Sequence, residues 1–241
     1  MSTDCTLLPI AMLIAGYCFI ISHVHPNPPP DKKDRNQVDR MSFLAGRHLP
    51  VISQVGTIVM IYHALLIVVT RHIPTRVSQI CPMAHKTNPK LFAWNIASIV
   101  PLLFIYVGTY IRISAFGGLG KSFTLHLAPP DHLVTTGVYR WIQHPSYTRL
   151  FMIWWGFMTL FVRWDATPAC WSYTLALPQC YGCILTATTG YAVWLFRRRV
   201  QDEEIMMRQR FGQQWEQELL NEKIYPGSVL NLRVCCLQWW I

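Results

Sequence analysis

Histidine, tyrosine, arginine and proline stand close together in the stretch Asp131 to Tyr147, DHLVTTGVYRWIQHPSY, with long apolar runs on either side. Polar groups kept at a membrane face are costly to hold there and are usually functional. The residue before a proline is pushed out of the helical region. His144 is therefore predicted to close a turn running from Tyr139 to Gln143, and Pro145 to begin the next helix. Such a segment ends on unpaired backbone N–H groups and the positive end of a helix dipole, which together receive a carboxylate. A second pair, Arg199 and Glu203, shares a helix face one turn apart. The plain account is a surface ion pair contributing a few tenths of a kcal/mol, yet Arg preceding Glu is the weaker order for that pair, which favours a functional reading.

Other candidates are weaker. A lone His63 inside an apolar run is expected to hydrogen-bond a neighbouring helix, since no second ligand stands at helical spacing with it. Cys180 and Cys183 have zinc spacing but no second Cys or His pair beside them, so no metal is expected. Gly117, Gly118 and Gly120 break a helix without the GK[ST] of a phosphate loop. The cysteines, several within apolar runs, are a poor layout for a secreted disulfide framework and are expected to be mostly buried thiols.

The elements that must position these residues are membrane helices. Hydrophobic residues make up 52% of the chain and charged residues 14%, against about a quarter charged in a soluble domain. A net charge of +9 comes from basic residues scattered at the ends of apolar runs, which suits a cytosolic membrane surface and argues against nucleic acid. Uncharged or nearly uncharged runs at Leu7 to Ser22, Leu49 to Thr70, Leu91 to Ile111, Pro145 to Val162 and Ala166 to Phe196 predict about five spans. Pro178 and Gly182 are expected to kink the last of them. The first run has Asp4 and no Lys or Arg before it, the wrong flank for a signal peptide, and basic residues after it. The N-terminus is thus expected outside and the C-terminus in the cytosol, although the connection holding Arg71, Arg76, Lys86 and Lys90 then lies on the non-cytosolic side. Beyond Arg197, the residues Val200, Met207, Phe211, Trp215 and Leu219 form one apolar stripe, predicting an amphipathic helix that leaves the membrane. The fold class expected is an all-α integral membrane protein with a C-terminal helical hairpin and a cytosolic amphipathic helix. Residues 1–116 would supply N-terminal membrane helices and 117–241 the functional core.

Thr135-Thr136-Gly137-Val138-Tyr139, then His144-Pro145-Ser146-Tyr147, then Arg199-x-x-x-Glu203-Glu204 and Phe211-Gly212 resemble, in that order, the C-terminal half of isoprenylcysteine carboxyl methyltransferases. The resemblance covers roughly residues 121 to 226. The HPxY element alone would be shared with phospholipid methyltransferases; the ordered set is more specific. Gln143 and Arg149 stand where the family usually has arginine and glycine. What the resemblance implies is a membrane enzyme, typically of the endoplasmic reticulum with its site facing the cytosol. It would transfer a methyl group from S-adenosylmethionine to the C-terminal carboxylate of a prenylated cysteine in CaaX-processed proteins. It further implies that Asp131, His132, Leu133, Val134, Tyr139, His144, Pro145, Ser146, Tyr147 and Glu203 hold the cofactor and that Arg199 meets the substrate. A carboxylate is already ionised at neutral pH, so positioning is the main task and no base is required.

Two other readings remain at this point. A phospholipid amine N-methyltransferase would share the chemistry but have no need of Arg199. A catalytically inactive membrane scaffold would draw support from Gln143 and Arg149.

Overall fold

The computed structural model describes residues 4–24, 27–28, 48–120, 123, 130, 132–171 and 177–217. Among these the regular structure is entirely helical: α1 (Asp4–His23), α2 (His48–His72), the single turn α3 (Val77–Ile80), α4 (Ile96–Leu119), α5 (Pro145–Leu160) and α6 (Leu177–Phe211), with short 3-10 turns between them. By length and apolar composition α2 and α4 can cross a membrane, and 7–23 is a shorter apolar helix. The expected stripe residue Leu219 and the tail with Cys235 and Cys236 lie outside the described residues.

The chain divides into two compact units, the first formed by Met1–Val24, Leu49–Thr109 and Leu150–Tyr191. Its core follows from helical periodicity. Leu8, Met12, Ala15 and Phe19 recur at three or four residues along α1 and are buried with Met60, Ala64 and Ile67 of α2 and Leu102, Ile105 and Ile153. The opposite faces are apolar as well, since Leu7, Ile10, Ile14, Tyr17, Val51, Val55, Ile58 and Leu65 are exposed. Helices apolar all round belong in lipid; in water these faces would form an unusually large exposed patch. Gly156 allows close helix packing, because a Cβ there would lie 2.6 Å from the backbone carbonyl oxygen of Pro101.

A polar layer closes one end of this unit. His63 Nδ1 lies 2.9 Å from Thr167 Oγ1 and Nε2 lies 3.3 Å from the Leu91 carbonyl, with the ring stacked on Phe92 at 4.6 Å. His63 is hydrogen-bonded, as expected, but its partners lie in the 3-10 turns Pro89–Phe92 and Thr167–Trp171 and not on a neighbouring membrane helix. Asn88 donates from its backbone N to the Asp165 carbonyl at 2.8 Å and from Nδ2 to the Asp165 carboxylate at 2.9 Å. Cys81 and Cys170 form a disulfide and are buried with Leu66. That corrects the reading of the cysteines as mostly buried thiols: two are paired, and of the free ones Cys180 and Cys183 are exposed. Spacing in sequence could not reveal a bridge between residues 89 apart.

The second unit comprises His25–His48, Tyr110–Arg149 and Ala192–Ile241. Its apolar cluster joins Met206, Met207 and Trp215 with Leu133 and Phe211, close to the stripe expected from the sequence. The last membrane run continues without a break into the first part of the amphipathic stripe as one helix of 35 residues, which ends at Phe211; Gly212, at φ 52°, interrupts the helix before Trp215. The helix starts at Leu177 and not at Ala166; Thr167–Trp171 is a 3-10 turn. Pro178 therefore falls in the first helical turn, where its missing N–H leaves no bond unmade.

Candidate active site

Pro145 opens α5, as its fixed φ and absent N–H favour. The His144 carbonyl, just outside the helix, accepts from the backbone N of Tyr147 at 3.2 Å and of Thr148 at 3.3 Å. Upstream, Gly137–Arg140 forms a 3-10 turn whose Val138 carbonyl accepts from the backbone N of Trp141 and Ile142 at 3.1 and 3.0 Å. Turn and helix start hold the side chains of Tyr139, His144 and Tyr147 at fixed places in the second unit.

Helix α6 supplies the charges. His144 is 13% exposed; its Nδ1 lies 3.5 Å from Glu203 Oε2 and its Nε2 lies 3.6 Å from Glu204 Oε1. These are ion-pair distances, longer than good hydrogen bonds, and each ring nitrogen faces a carboxylate. Burial by itself would lower the imidazole, but Glu203 and Glu204 together push it up to about 9, so at neutral pH it is an imidazolium between two carboxylates. For Glu203 burial would raise the carboxyl, and His144, the Tyr147 hydroxyl and Arg199 overcome this to hold it below the usual carboxylate range.

One turn before Glu203, Arg199 is buried and its Nε–H donates to the Tyr147 hydroxyl oxygen at 3.1 Å. The Tyr147 ring lies 5.9 Å from that of His144 and 6.0 Å from Phe196. Tyr139 packs on Gly118 near the end of α4, where a Cβ would come within 3.2 Å of its ring. Burial and the Glu203 charge push the Tyr139 phenol up, against the pull of Arg112, so it stays protonated. Arg112 is buried, with its guanidinium 4.2 Å from the Phe116 ring and 4.3 Å from that of Phe123. Arg149 is also buried, in the first two turns of α5.

The structure thus gathers Tyr139, His144, Tyr147, Arg199 and Glu203 of the expected site residues. Leu133 joins the apolar cluster with Met206, Met207 and Trp215, and the Val134 side chain lies 3.7 Å from the space a Cβ on Gly118 would fill. His132 is exposed, Pro145 is buried and Ser146 is half-buried; Asp131 lies outside the described residues. Two participants carried no role in the sequence reading. Glu204 belongs to the motif without an assigned role, and Arg112 directly follows the apolar run that ends at Ile111. A single charge against a membrane run was the signal for Arg112.

An amino-acid end of a ligand fits these groups. The Gln143 amide nitrogen is buried without a hydrogen-bond partner beside the α5 N-terminus, a donor for a carboxylate or hydroxyl oxygen, and the Glu203 and Glu204 carboxylates suit an ammonium or ribose hydroxyls.

Comparison with known proteins bears out the resemblance read from the motifs. Residues 99–209 match the model of the isoprenylcysteine carboxyl methyltransferase family. The chain is 30% identical over 143 residues to a probable protein-S-isoprenylcysteine O-methyltransferase of Oryza sativa subsp. indica, covering 58% of this chain and 64% of the relative. It is 37% identical over 79 residues to the protein-S-isoprenylcysteine O-methyltransferase of Saccharomyces cerevisiae, 29% of this chain and 32% of the relative. With the Homo sapiens protein-S-isoprenylcysteine O-methyltransferase it shares 30% identity over 133 residues, 53% of this chain and 40% of the relative. The matches thus span less than two thirds of these relatives' own lengths. No solved structure matches.

Proposed function

We propose that the chain is a membrane enzyme that methylates the C-terminal carboxylate of a prenylated cysteine, with S-adenosylmethionine as methyl donor. The observation that carries this reading is Arg199, a buried guanidinium one helical turn from Glu203 and fixed by Tyr147. A permanently charged, planar donor fork suits two-point recognition of a carboxylate, whereas a neutral amine substrate would gain nothing from it. Similarity to relatives named protein-S-isoprenylcysteine O-methyltransferase supports the substrate class.

Arg199 orients the substrate carboxylate. Glu203, Glu204, His144, Gln143 and the Ser146 backbone N–H would grip the polar end of the cofactor, with Pro145, Tyr139 and the segment from Asp131 to Val134 lining it. The bound cofactor supplies a methyl group on a positively charged sulfur. That methyl group would pass to the carboxylate oxygen that Arg199 orients, an already ionised nucleophile. No proton moves, so His144 is not a base. Its imidazolium lies between the two glutamates and helps to hold Glu203 below the usual carboxylate range.

For topology we propose five spans with the polar layer of residues 73–95 and 161–171 outside the cytosol, at the endoplasmic reticulum membrane. The Cys81–Cys170 disulfide supports this side, because such bridges persist in oxidising compartments. It outweighs the basic residues of the same connection. A single crossing by α5 would then return Pro145 to the cytosolic face.

The deciding assay offers labelled S-adenosylmethionine to the purified protein with N-acetyl-S-farnesylcysteine and, separately, with phosphatidylethanolamine. Methylation of the first alone is expected. Label on the lipid alone would overturn the substrate assignment, and no transfer to either would leave the scaffold reading.

A further inference from the structure

Arg197, Arg198 and Arg199 follow directly on the apolar run that ends at Phe196, and the structure gives them different surroundings. Arg199 is buried on the face of α6 that it shares with Phe196, Glu203 and Met207, and Tyr147, His144 and Leu133 of the same unit pack there. The opposite face, with residues three and four apart, carries Trp194, Arg198, Gln201 and Ile205, all exposed, Trp194 at 50% and Ile205 at 56%. The Arg198 guanidinium carbon lies 5.9 Å from the centroid of the Trp194 ring one turn earlier. The acidic residues of this stretch are engaged on the other side: Glu203 and Glu204 face His144, and one Asp202 carboxylate oxygen is buried. The turn before Pro145 repeats the arrangement, for Arg140 and Trp141 are both exposed and the Arg140 guanidinium carbon lies 5.4 Å from the indole centroid. Two exposed arginine–tryptophan pairs therefore stand in the second unit, one where an apolar run ends and one where the next begins.

We propose that these pairs, with Arg197, form a docking surface for the anionic headgroups of the membrane leaflet. The inference rests on the topology above, which puts the start of α5 and the end of the last apolar run at the cytosolic face. An indole at the end of an apolar run suits a layer that is apolar on one side and wet on the other, which a bilayer interface supplies and an acidic protein segment does not. A guanidinium stacked on that indole reaches the headgroup level, and its planar fork matches phosphate. Clustered basic residues just beyond a span draw anionic lipid for the same reason. Held there, α6 keeps Arg199, the next residue along, at the leaflet surface, where the carboxylate of a membrane-anchored prenylcysteine also lies.

The test titrates the purified full-length protein in detergent with dioctanoylphosphatidylserine and, separately, with dioctanoylphosphatidylcholine, counting bound lipids by native mass spectrometry. Wild type is expected to bind the serine lipid at least about fivefold more tightly, the scale of one basic residue at an anionic surface. Arg198→Gln should lose about fivefold in affinity for that lipid and keep its affinity for the choline lipid within about twofold. Arg198→Lys, which keeps the charge, should stay within about twofold for both. Arg210→Gln is the control: it removes the same charge from the same helix about 18 Å further along, beyond the screening length, and should change neither. Raising the salt should shrink the wild-type preference without any substitution.

Equal affinity of wild type for the two lipids would overturn the inference, as would a preference that Arg198→Gln leaves intact or that Arg210→Gln reduces as much. A polyglutamate peptide that binds through Arg198 in a protein without lipid preference would make the partner an acidic protein segment and sink the lipid assignment. Methyl transfer is not read in this titration and detergent has no sides. A protein that prefers the serine lipid but methylates no prenylcysteine would thus refute the function above and leave this surface standing.

Discussion

Replacing His144 by glutamine should remove a pH dependence of stability that the wild-type protein shows between about pH 6.5 and pH 9. In the fold the imidazole is pushed up to about 9 by Glu203 and Glu204, from an ordinary value of 6.5 in the unfolded chain. As pH rises past 6.5 the unfolded chain gives up this proton while the fold still holds it, so each step up in pH favours unfolding until the folded group titrates as well. The stabilisation is complete below pH 6.5 and gone above about 9. At 1.36 kcal/mol per pH unit it amounts to about 3 kcal/mol. Since the side chain is only 13% exposed, solvent screening takes little from that figure. The assay is thermal unfolding in detergent at half-unit steps from pH 6 to 9.5, comparing wild type with His144→Gln so that other titrating groups cancel. The gap between the two should narrow steadily with rising pH. A gap that does not change over this range, or an isotope-labelled His144 ring that titrates near 6.5 by NMR, would refute the two-carboxylate clamp.

Glu203→Gln should weaken S-adenosylmethionine binding by about one to two decades, the scale of a charged hydrogen bond, with the fold retained; calorimetry on a well-folded variant showing unchanged affinity would remove Glu203 from the cofactor site. Gly156→Ala drives a methyl group into the Pro101 carbonyl oxygen at 2.6 Å and should cost about 1–3 kcal/mol, so an unshifted melting temperature would mean that the α4–α5 approach is looser than described. In sealed microsomes, a membrane-impermeant reductant should leave the Cys81–Cys170 bridge intact and expose two further maleimide-reactive thiols only after lysis. Two new thiols before lysis would put the polar layer on the cytosolic side.

Much of this protein was legible in its sequence because the deciding effects are local. Apolar runs long enough to cross a bilayer declare helices without any knowledge of their neighbours, and the rule that proline restricts its predecessor put the start of α5 at Pro145. The seven- and four-residue spacing from Val200 to Trp215 likewise marked the buried face that the structure fills with Met207, Phe211 and Trp215. Periodicity could not show that α6 runs unbroken through that change of environment, because a helix keeps its hydrogen bonds whether lipid or water surrounds it. The motif gathered the site residues by type, but their pairings depend on distances between segments far apart in the chain. Sequence placed His144 and Tyr147 together and Arg199, Glu203 and Glu204 together; tertiary structure decided that His144 divides the two glutamates and that Tyr147 takes the arginine. The Cys81–Cys170 bond belongs to the same class. Helix propensity and hydropathy act over a few residues at a time, whereas ion pairs and disulfides need atoms brought within a few ångströms by the packing of helices, which no local spacing encodes.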